Sequence, residues 1–151
     1  MKKAVLGIII KDWKILLAMK KRWFWAGKYN WPWWKIERWE TPEQAMIREA
    51  KEEIWIDILK QRRIGKLYFY FEWKSDWDFE VDLFLIEDFK WNPTETEEMR
   101  PQWFDIEEIP YNKMWKDDKI WLPRVLKGES WIKYKFYFWE DDELKQIEKI
   151  S

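Results

Sequence analysis

Residues 34–56 read WKIERWETPEQAMIREAKEEIWI, and from Thr41 onward this stretch has the pattern of an amphipathic helix. Thr41 supplies an N-cap hydroxyl, Pro42 suits the first helical position, and Gln44 lies where its side chain closes a capping box. Apolar residues then recur at helical spacing, which predicts a buried stripe. The stripe consists of Met46, Ile47, Ala50 and Ile54. The stretch therefore predicts a helix that begins at Thr41 and packs on a core.

The predicted helix also carries a cluster of acidic side chains beside an arginine. Glu52 and Glu53 follow Glu49 at the spacings that place side chains on one helical face, where ionised carboxylates repel one another. A divalent cation converts such repulsion into coordination. Arg48 precedes Glu52 by one helical turn, so the two can form an ion pair. The cluster alone is more typical of a solvated helix face than of a metal site, and its spacing leaves both interpretations open.

The whole stretch resembles the signature of the Nudix family, in which glycine, glutamate and arginine recur at fixed positions. Two signature glycines are replaced here, by Trp34 and Trp55. The residues that match the signature are Glu40, Arg48, Glu49, Ala50, Glu52, Glu53 and Ile56. The resemblance implies an α+β fold, an α/β/α sandwich in which helices cover both faces of a mixed β-sheet. It also implies hydrolysis of a pyrophosphate bond by metal-activated water.

Roles for the acidic residues follow from the same resemblance. Glu49 and Glu53 are implied as metal ligands, Glu52 as a ligand or the general base, and Arg48 as the side chain that holds the cluster. The resemblance also implies that Glu98, which lies outside the signature, approaches the metal. The chain contains no histidine and no cysteine, which favours Mg²⁺ on oxygen ligands, with Mn²⁺ as the alternative.

Three further segments resemble one branch of the family, the hydrolases of oxidised purine nucleoside triphosphates. They read MKKRWFWAGKYN at 19–30, EEMRPQWF at 97–104 and NKMWKDDKIWLP at 112–123. This branch implies a nucleotide pocket in which Trp115 stacks on the purine while Asp117 and Asp118 read its edge. The other implied substrate-binding residues are Lys20, Phe24, Asn30, Lys35, Phe69 and Phe71.

The implied reaction is Mg²⁺-dependent hydrolysis of an oxidised purine nucleoside triphosphate, of the 8-oxo-dGTP or 2-hydroxy-dATP type, to monophosphate and pyrophosphate. Val5 and Phe79 stand where the branch has Thr and Met, and these departures leave the preferred base open. Two alternatives remain open as well. One is a pyrophosphohydrolase for another nucleoside diphosphate derivative, and the other is a catalytically silent binding module with the same fold.

Length and charge limit the class of protein and partner. At 151 residues the chain is expected to form one domain, 1–151, and we expect a monomer. Its 28 basic and 29 acidic residues nearly balance, so the expected partner is a small nucleotide, and neither a nucleic-acid polymer nor a membrane. The N-terminal apolar run ends at Lys11 with no small-residue cleavage site after it, which favours a first strand in a cytoplasmic protein.

Periodicity predicts the remaining elements. The predictions are a hairpin of Val5–Ile10 and Ile15–Met19, strands at Ile64–Phe71, Phe79–Ile86, Gln102–Phe104 and Trp131–Trp139, and a helix at Asn112–Leu126 that Pro123 bends or ends.

The tryptophan content is abnormal, with 16 Trp against 4 Gly, although Gly averages about 7% of residues. Glycine serves positions of positive φ or close backbone approach, which Trp cannot occupy without strain. The pattern favours UGA codons that the source organism reads as glycine, over deliberate substitution or a degenerate relative. Trp occupies family glycine positions at 23, 25, 33, 34, 39 and 55 and turn-like positions at 13, 73 and 91.

Overall fold

A computed structural model provides the fold and describes residues 1–20, 28–30, 33–97, 99–140 and 143–151. Within these residues, nine strands form one sheet and two α-helices pack against it. The strands are β1 (Lys2–Lys11), β2 (Lys14–Lys20), β3 (Tyr29–Asn30), β4 (Trp33–Lys35), β5 (Asp57–Phe71), β6 (Phe79–Lys90), β7 (Met99–Asp105), β8 (Ile132–Phe138) and β9 (Leu144–Lys149). The helices are α1 (Pro42–Ile54) and α2 (Asp118–Leu126).

The sheet is mixed. Seven strands follow the order β3-β2-β1-β6-β5-β8-β9, while β4 pairs with β1 and β7 pairs with β2. β1 runs parallel to β6 and β5 runs parallel to β8, whereas β5 and β6 are antiparallel. A mixed sheet with a helix on each face confirms the predicted α+β sandwich.

Two hydrophobic cores lie on opposite faces of the sheet because side chains alternate along each strand. Val5 and Ile9 of β1 pack beneath α1, in the core that contains Met46. Leu6 and Ile8 point to the other face and share a core with Trp121 of α2. Val5, which replaces the Thr of the related branch, thus lies under α1, whereas Phe79 lies in the core beside α2.

The second helix is shorter than the sequence predicts. A helix is expected from Asn112, but α2 begins only at Asp118, after a 3-10 turn at Tyr111–Lys113 and an extended Met114. Met114 and Trp115 are 3% and 7% exposed, so burial of these two side chains overrides the helical periodicity of the segment. Pro123 lies inside α2 and does not end it.

The sequence pattern does not predict three of the strands, and several other strands are longer in the structure than the pattern predicts. β3 and β4 contain two and three residues, too few to show a period. β9 is an edge strand whose residues are mostly exposed, so its sequence lacks the alternation of a half-buried strand. β5 begins at Asp57, β6 continues to Lys90 and β7 begins at Met99. No helix in the described ranges has the length and apolar character needed to cross a membrane.

Four tryptophans adopt the left-handed backbone conformation. Their φ angles are 62° at Trp13, 62° at Trp55, 75° at Trp91 and 59° at Trp131. Residues with a Cβ atom pay roughly 1–2 kcal/mol for this conformation, whereas glycine adopts it freely. The backbone at these four turns therefore has the geometry that glycine normally supplies.

Candidate active site

The start of α1 is fixed by the predicted capping box. The Gln44 backbone N–H donates to Thr41 Oγ1 at 3.1 Å, and the Thr41 N–H donates to Gln44 Oε1 at 2.8 Å. Pro42 occupies the first turn, as predicted. This double cap sets where the helix begins, and it thereby sets which face its glutamates occupy.

Arg48 ties the preceding loop to the acidic face of α1. Its Nη2 and Nε donate to the two carboxylate oxygens of Glu40 at 2.6 and 2.9 Å. Its Nη1 donates to Glu49 Oε1 at 2.6 Å and to Glu52 Oε2 at 3.2 Å. Glu40 also accepts from the Glu37 backbone N–H at 2.9 Å. Bidentate, charge-assisted pairing of this kind fixes the guanidinium geometry, so Arg48 organises three carboxylates at once.

The protonation behaviour of the cluster follows from these contacts. The hydrogen bonds from Arg48 hold the pKa of Glu40 below its ordinary value, despite burial that acts in the opposite direction. Burial raises the pKa of Glu49, and the charges of Glu52 and Glu53 act in the same direction. The hydrogen bond to Glu40 is the largest cause of a raised pKa for Arg48. Burial therefore disfavours the ionised form of Glu49, although Arg48 donates to it.

The donor set fits a hard divalent cation. Within the part of the chain that the structure describes, no three acidic side chains converge closely enough to enclose an ion, and Glu98 lies outside that part. A single nitrogen of Arg48, Nη1, instead donates to both Glu49 and Glu52. A cation near Glu49 would offset its burial and the repulsion from its neighbours, and carboxylate oxygens suit Mg²⁺-like ions.

An aromatic cluster lies on the other face of the sheet, around α2. Trp115 is 7% exposed and meets Phe71 and Phe138 edge-to-face, with centroid distances of 6.2 and 5.5 Å. Phe69 stacks on Phe136 at 5.8 Å and on Phe138 at 6.2 Å. The structure thus brings together three of the predicted pocket residues, namely Phe69, Phe71 and Trp115.

The two predicted base-reading carboxylates lie beside this aromatic group. Asp117 and Asp118 are each 3% exposed. Asp117 Oδ2 accepts from the indole N–H of Trp121 at 2.8 Å. Burial raises the pKa of Asp117 to about 6, against the opposing effects of the Trp121 hydrogen bond and the Lys28 charge. Buried adjacent carboxyl groups resist simultaneous ionisation, so this pair can hold a proton near neutral pH.

Sequence reasoning missed one residue beside this aromatic cluster. The Lys28 ammonium lies over the Trp115 ring, 4.3 Å from its centroid. Lys28 belongs to a segment that contributes to the resemblance, yet no spacing or pattern distinguishes it from the other lysines there.

The structure describes the side chains of only some of the remaining predicted residues. Glu53 lies half-buried on α1, and Lys35 lies exposed at the end of β4. Lys20 and Asn30 end β2 and β3, and their side chains lie outside the described part of the structure. Phe24 lies outside the described residues altogether.

Comparisons with known proteins agree with the geometry. A family model described as NUDIX domain matches residues 1–125. The chain is 38% identical to an oxidized purine nucleoside triphosphate hydrolase of Danio rerio over 129 residues, covering 85% of this chain and 82% of that protein. Identity to the Mus musculus protein of the same name is 33% over 139 residues, covering 92% and 88%.

Solved structures support the fold. A crystal structure of a MutT protein from Bacillus halodurans superposes with a TM-score of 0.88 at 20% identity, covering 99% of this chain and 98% of that one. A NUDIX hydrolase from Nitrosomonas europaea gives a TM-score of 0.70 at 20% identity, covering 92% and 79%. NUDIX hydrolases generally use a divalent metal, which suits the acidic face of α1. The capped helix, its arginine-bound glutamates and the family match together show that this chain belongs to the NUDIX family.

Proposed function

We propose that the chain hydrolyses oxidised purine nucleoside triphosphates, of the 8-oxo-dGTP or 2-hydroxy-dATP type, to nucleoside monophosphate and pyrophosphate. The observation that carries this proposal is the aromatic cluster beside two buried carboxylates, Asp117 and Asp118, in a chain that also matches the NUDIX domain. The names of the Danio rerio and Mus musculus relatives support the same substrate class.

On this proposal, Mg²⁺ binds at the acidic face of α1. Glu49 and Glu53 are its ligands, Glu98 approaches it from outside the signature, and Glu52 is a ligand or the general base. A bound cation of this kind neutralises phosphate charge and activates water. Arg48 keeps the carboxylates of Glu49 and Glu52 in place through its hydrogen bonds of 2.6 and 3.2 Å.

Base recognition would lie in the pocket around α2. The flat indole of Trp115 offers a surface for purine stacking, and Phe69 and Phe71 form part of the pocket wall. Because the pKa of Asp117 is raised to about 6, the Asp117–Asp118 pair can present a protonated donor beside an ionised acceptor. Such a pair distinguishes bases that differ in the donors and acceptors of their edge. Lys20, Phe24, Asn30 and Lys35 complete the proposed contacts with the nucleotide.

The deciding experiment measures pyrophosphate release from 8-oxo-dGTP with saturating Mg²⁺. Glu53→Gln should lower kcat more than about a hundredfold, because even outer-shell changes at metal sites cost about 10–100-fold. The matched control is Glu43→Gln, since Glu43 belongs to the same helix but pairs with Arg63 of β5. The control should retain nearly full activity. Near-normal turnover of Glu53→Gln would remove Glu53 from the metal site.

A nucleotide panel separates the two alternatives. Release of pyrophosphate from 8-oxo-dGTP in preference to dGTP supports the proposal. Hydrolysis of nucleoside diphosphate derivatives with no triphosphate activity would favour the other enzyme class. Binding of nucleotide without any turnover would favour a silent module.

We also propose that residues 1–151 act as one monomeric domain in the cytoplasm. Balanced charge supports a small nucleotide as the partner, and neither a nucleic-acid polymer nor a membrane. Sedimentation equilibrium would test the monomer, and a stable dimer would contradict it.

A further inference from the structure

Lys28 occupies the surface that an incoming base would need. Its ammonium lies 4.3 Å from the Trp115 ring centroid, well within the roughly 6 Å over which a cation is attracted to an indole face. Phe71 and Phe138 pack against the same indole with interplanar angles of 77° and 86°. A purine stacking on the face beneath the ammonium would therefore compete with Lys28.

The backbone next to Lys28 is held firmly. Tyr29 pairs with Met19 of β2 in the sheet register. Its hydroxyl donates to Gln102 Oε1 at 3.2 Å, and its ring meets Phe104 edge-on at 4.9 Å. Anchoring of this neighbour leaves the flexible lysine stem as the part that can move away from Trp115.

The same ammonium acts on the buried acid pair. The charge of Lys28 lowers the pKa of Asp117, against burial that raises it to about 6. Among the residues that the structure describes, several charged or titratable groups lie around Asp117. Asp118 adjoins it on α2, Tyr111 lies near Asp118, Lys116 points outward to Glu143 at 3.7 Å, and Lys28 approaches from the segment before β3. Among them, Lys28 is the cation whose charge stabilises the ionised form of Asp117.

We propose that Lys28 is a positioning residue that covers the face of Trp115 and is displaced from the indole by the purine. This role rests on the proposed function. Once the ammonium moves away, the Asp117 carboxylate takes one proton from solvent and donates it as a hydrogen bond to the base. No bond of the nucleotide changes in this step.

The pH dependence of kcat/KM for 8-oxo-dGTP tests this role, because it reports ionisations of the free enzyme. In Lys28→Met the cation is lost, so the pKa of Asp117 rises and the alkaline limb should move to higher pH. Lys28→Arg keeps the positive charge, so its alkaline limb should lie at the same pH as that of the unchanged protein. Lys116→Met removes an equal charge one residue from Asp117, but its side chain is 46% exposed and pairs with Glu143. The Lys116→Met control should also leave the alkaline limb of the pH profile at the pH of the unchanged protein.

A second readout does not require turnover. Calorimetric titration with 8-oxo-dGMP in buffers of different ionisation enthalpy gives the protons taken up on binding. Uptake should be smaller in Lys28→Met than in the unchanged protein at the same pH, because more Asp117 is protonated before binding. A lowered Tm with an unmoved limb and unchanged uptake would reduce Lys28 to a structural residue and overturn the proposal. Absence of hydrolysis and of 8-oxo-dGMP binding by the unchanged protein would instead overturn the proposed function itself.

Discussion

Two groups of tryptophans in this chain differ in almost every physical respect. Trp115 and Trp121 are 7% and 0% exposed and belong to the core around α2. Trp13, Trp55, Trp91 and Trp131 are 84%, 64%, 69% and 65% exposed and all have positive φ. The first group is held by side-chain packing, whereas in the second the backbone conformation dominates and the indole lies mostly in water. The residue type alone therefore does not show which indoles stabilise the fold through packing.

Trp55 shows the second group most clearly. It caps the C-terminus of α1 in the left-handed conformation, and its backbone N–H donates to the carbonyl groups of Ala50 and Lys51. Glycine is the common residue at such a cap because it has no Cβ. The positive φ of Trp13, Trp55 and Trp91 agrees with the hypothesis that these positions are read as glycine in the source organism, whereas Trp39 and Trp73, which belong to the same predicted set, do not have positive φ.

The largest effect on stability is expected when a tryptophan of the buried group is replaced by glycine. Trp115→Gly should destabilise the fold by at least about 3–5 kcal/mol, the range for removing a buried large aromatic side chain. It should also raise KM for 8-oxo-dGTP, because the stacking surface is lost. Urea unfolding and steady-state kinetics measure the two effects. Unchanged stability and KM would abolish the distinction between the two groups.

An opposite and smaller effect is expected at the helix cap. Trp55→Gly should stabilise the protein by about 1–2 kcal/mol through release of left-handed strain. Trp39→Gly is the matched control, since Trp39 is 75% exposed and does not have a positive φ. This control should lose about 0.5–1 kcal/mol through added chain entropy. Thermal melts of both variants decide the matter, and equal shifts would exclude the backbone explanation.

The smallest effect is expected at Trp91. Its indole N–H donates to Asp57 Oδ2 at 2.9 Å, so Trp91→Gly exchanges relief of strain for a lost hydrogen bond of about 0.5–1.5 kcal/mol. Stability should change little. The pKa of Asp57, held below its ordinary value by Lys51 and then by Trp91, should rise. Carbon-detected NMR titration of this carboxyl measures the change, and an unaltered pKa would show that the indole contact is absent in solution.

Local signals predicted the structure of α1 and of its arginine–glutamate cluster well. The Thr41 cap, the register of Arg48 and its glutamates, and the buried stripe all depend on residues within a few turns of one helix. Ile47 is the exception in the stripe, since it is 45% exposed. The exposure arises because α1 contacts the sheet through a narrower face than the sequence pattern indicates.

Contacts between distant parts of the chain explain what the sequence did not predict. The delayed start of α2 follows from burial of Met114 and Trp115 against strands far away in sequence. Lys28 meets Trp115 across 87 residues, and no local pattern encodes that meeting. The roles of Glu53 and of the Asp117–Asp118 pair remain predictions that rest on family resemblance.

The alternation of side chains along β1 couples the two halves of the site. Its eight paired positions with β6 run from Lys2 to Ile9, and neighbouring residues such as Val5 and Leu6 enter different cores. A shift of one residue in the pairing register of β1 would move each of its side chains to the opposite face of the sheet. Neither α1 nor α2 would then pack on its own set of apolar side chains. Errors in pairing at this strand would thus disturb the acidic face of α1 and the aromatic cluster around α2 together. On the proposed function, a chain with β1 mispaired would lose cleavage and base recognition at the same time.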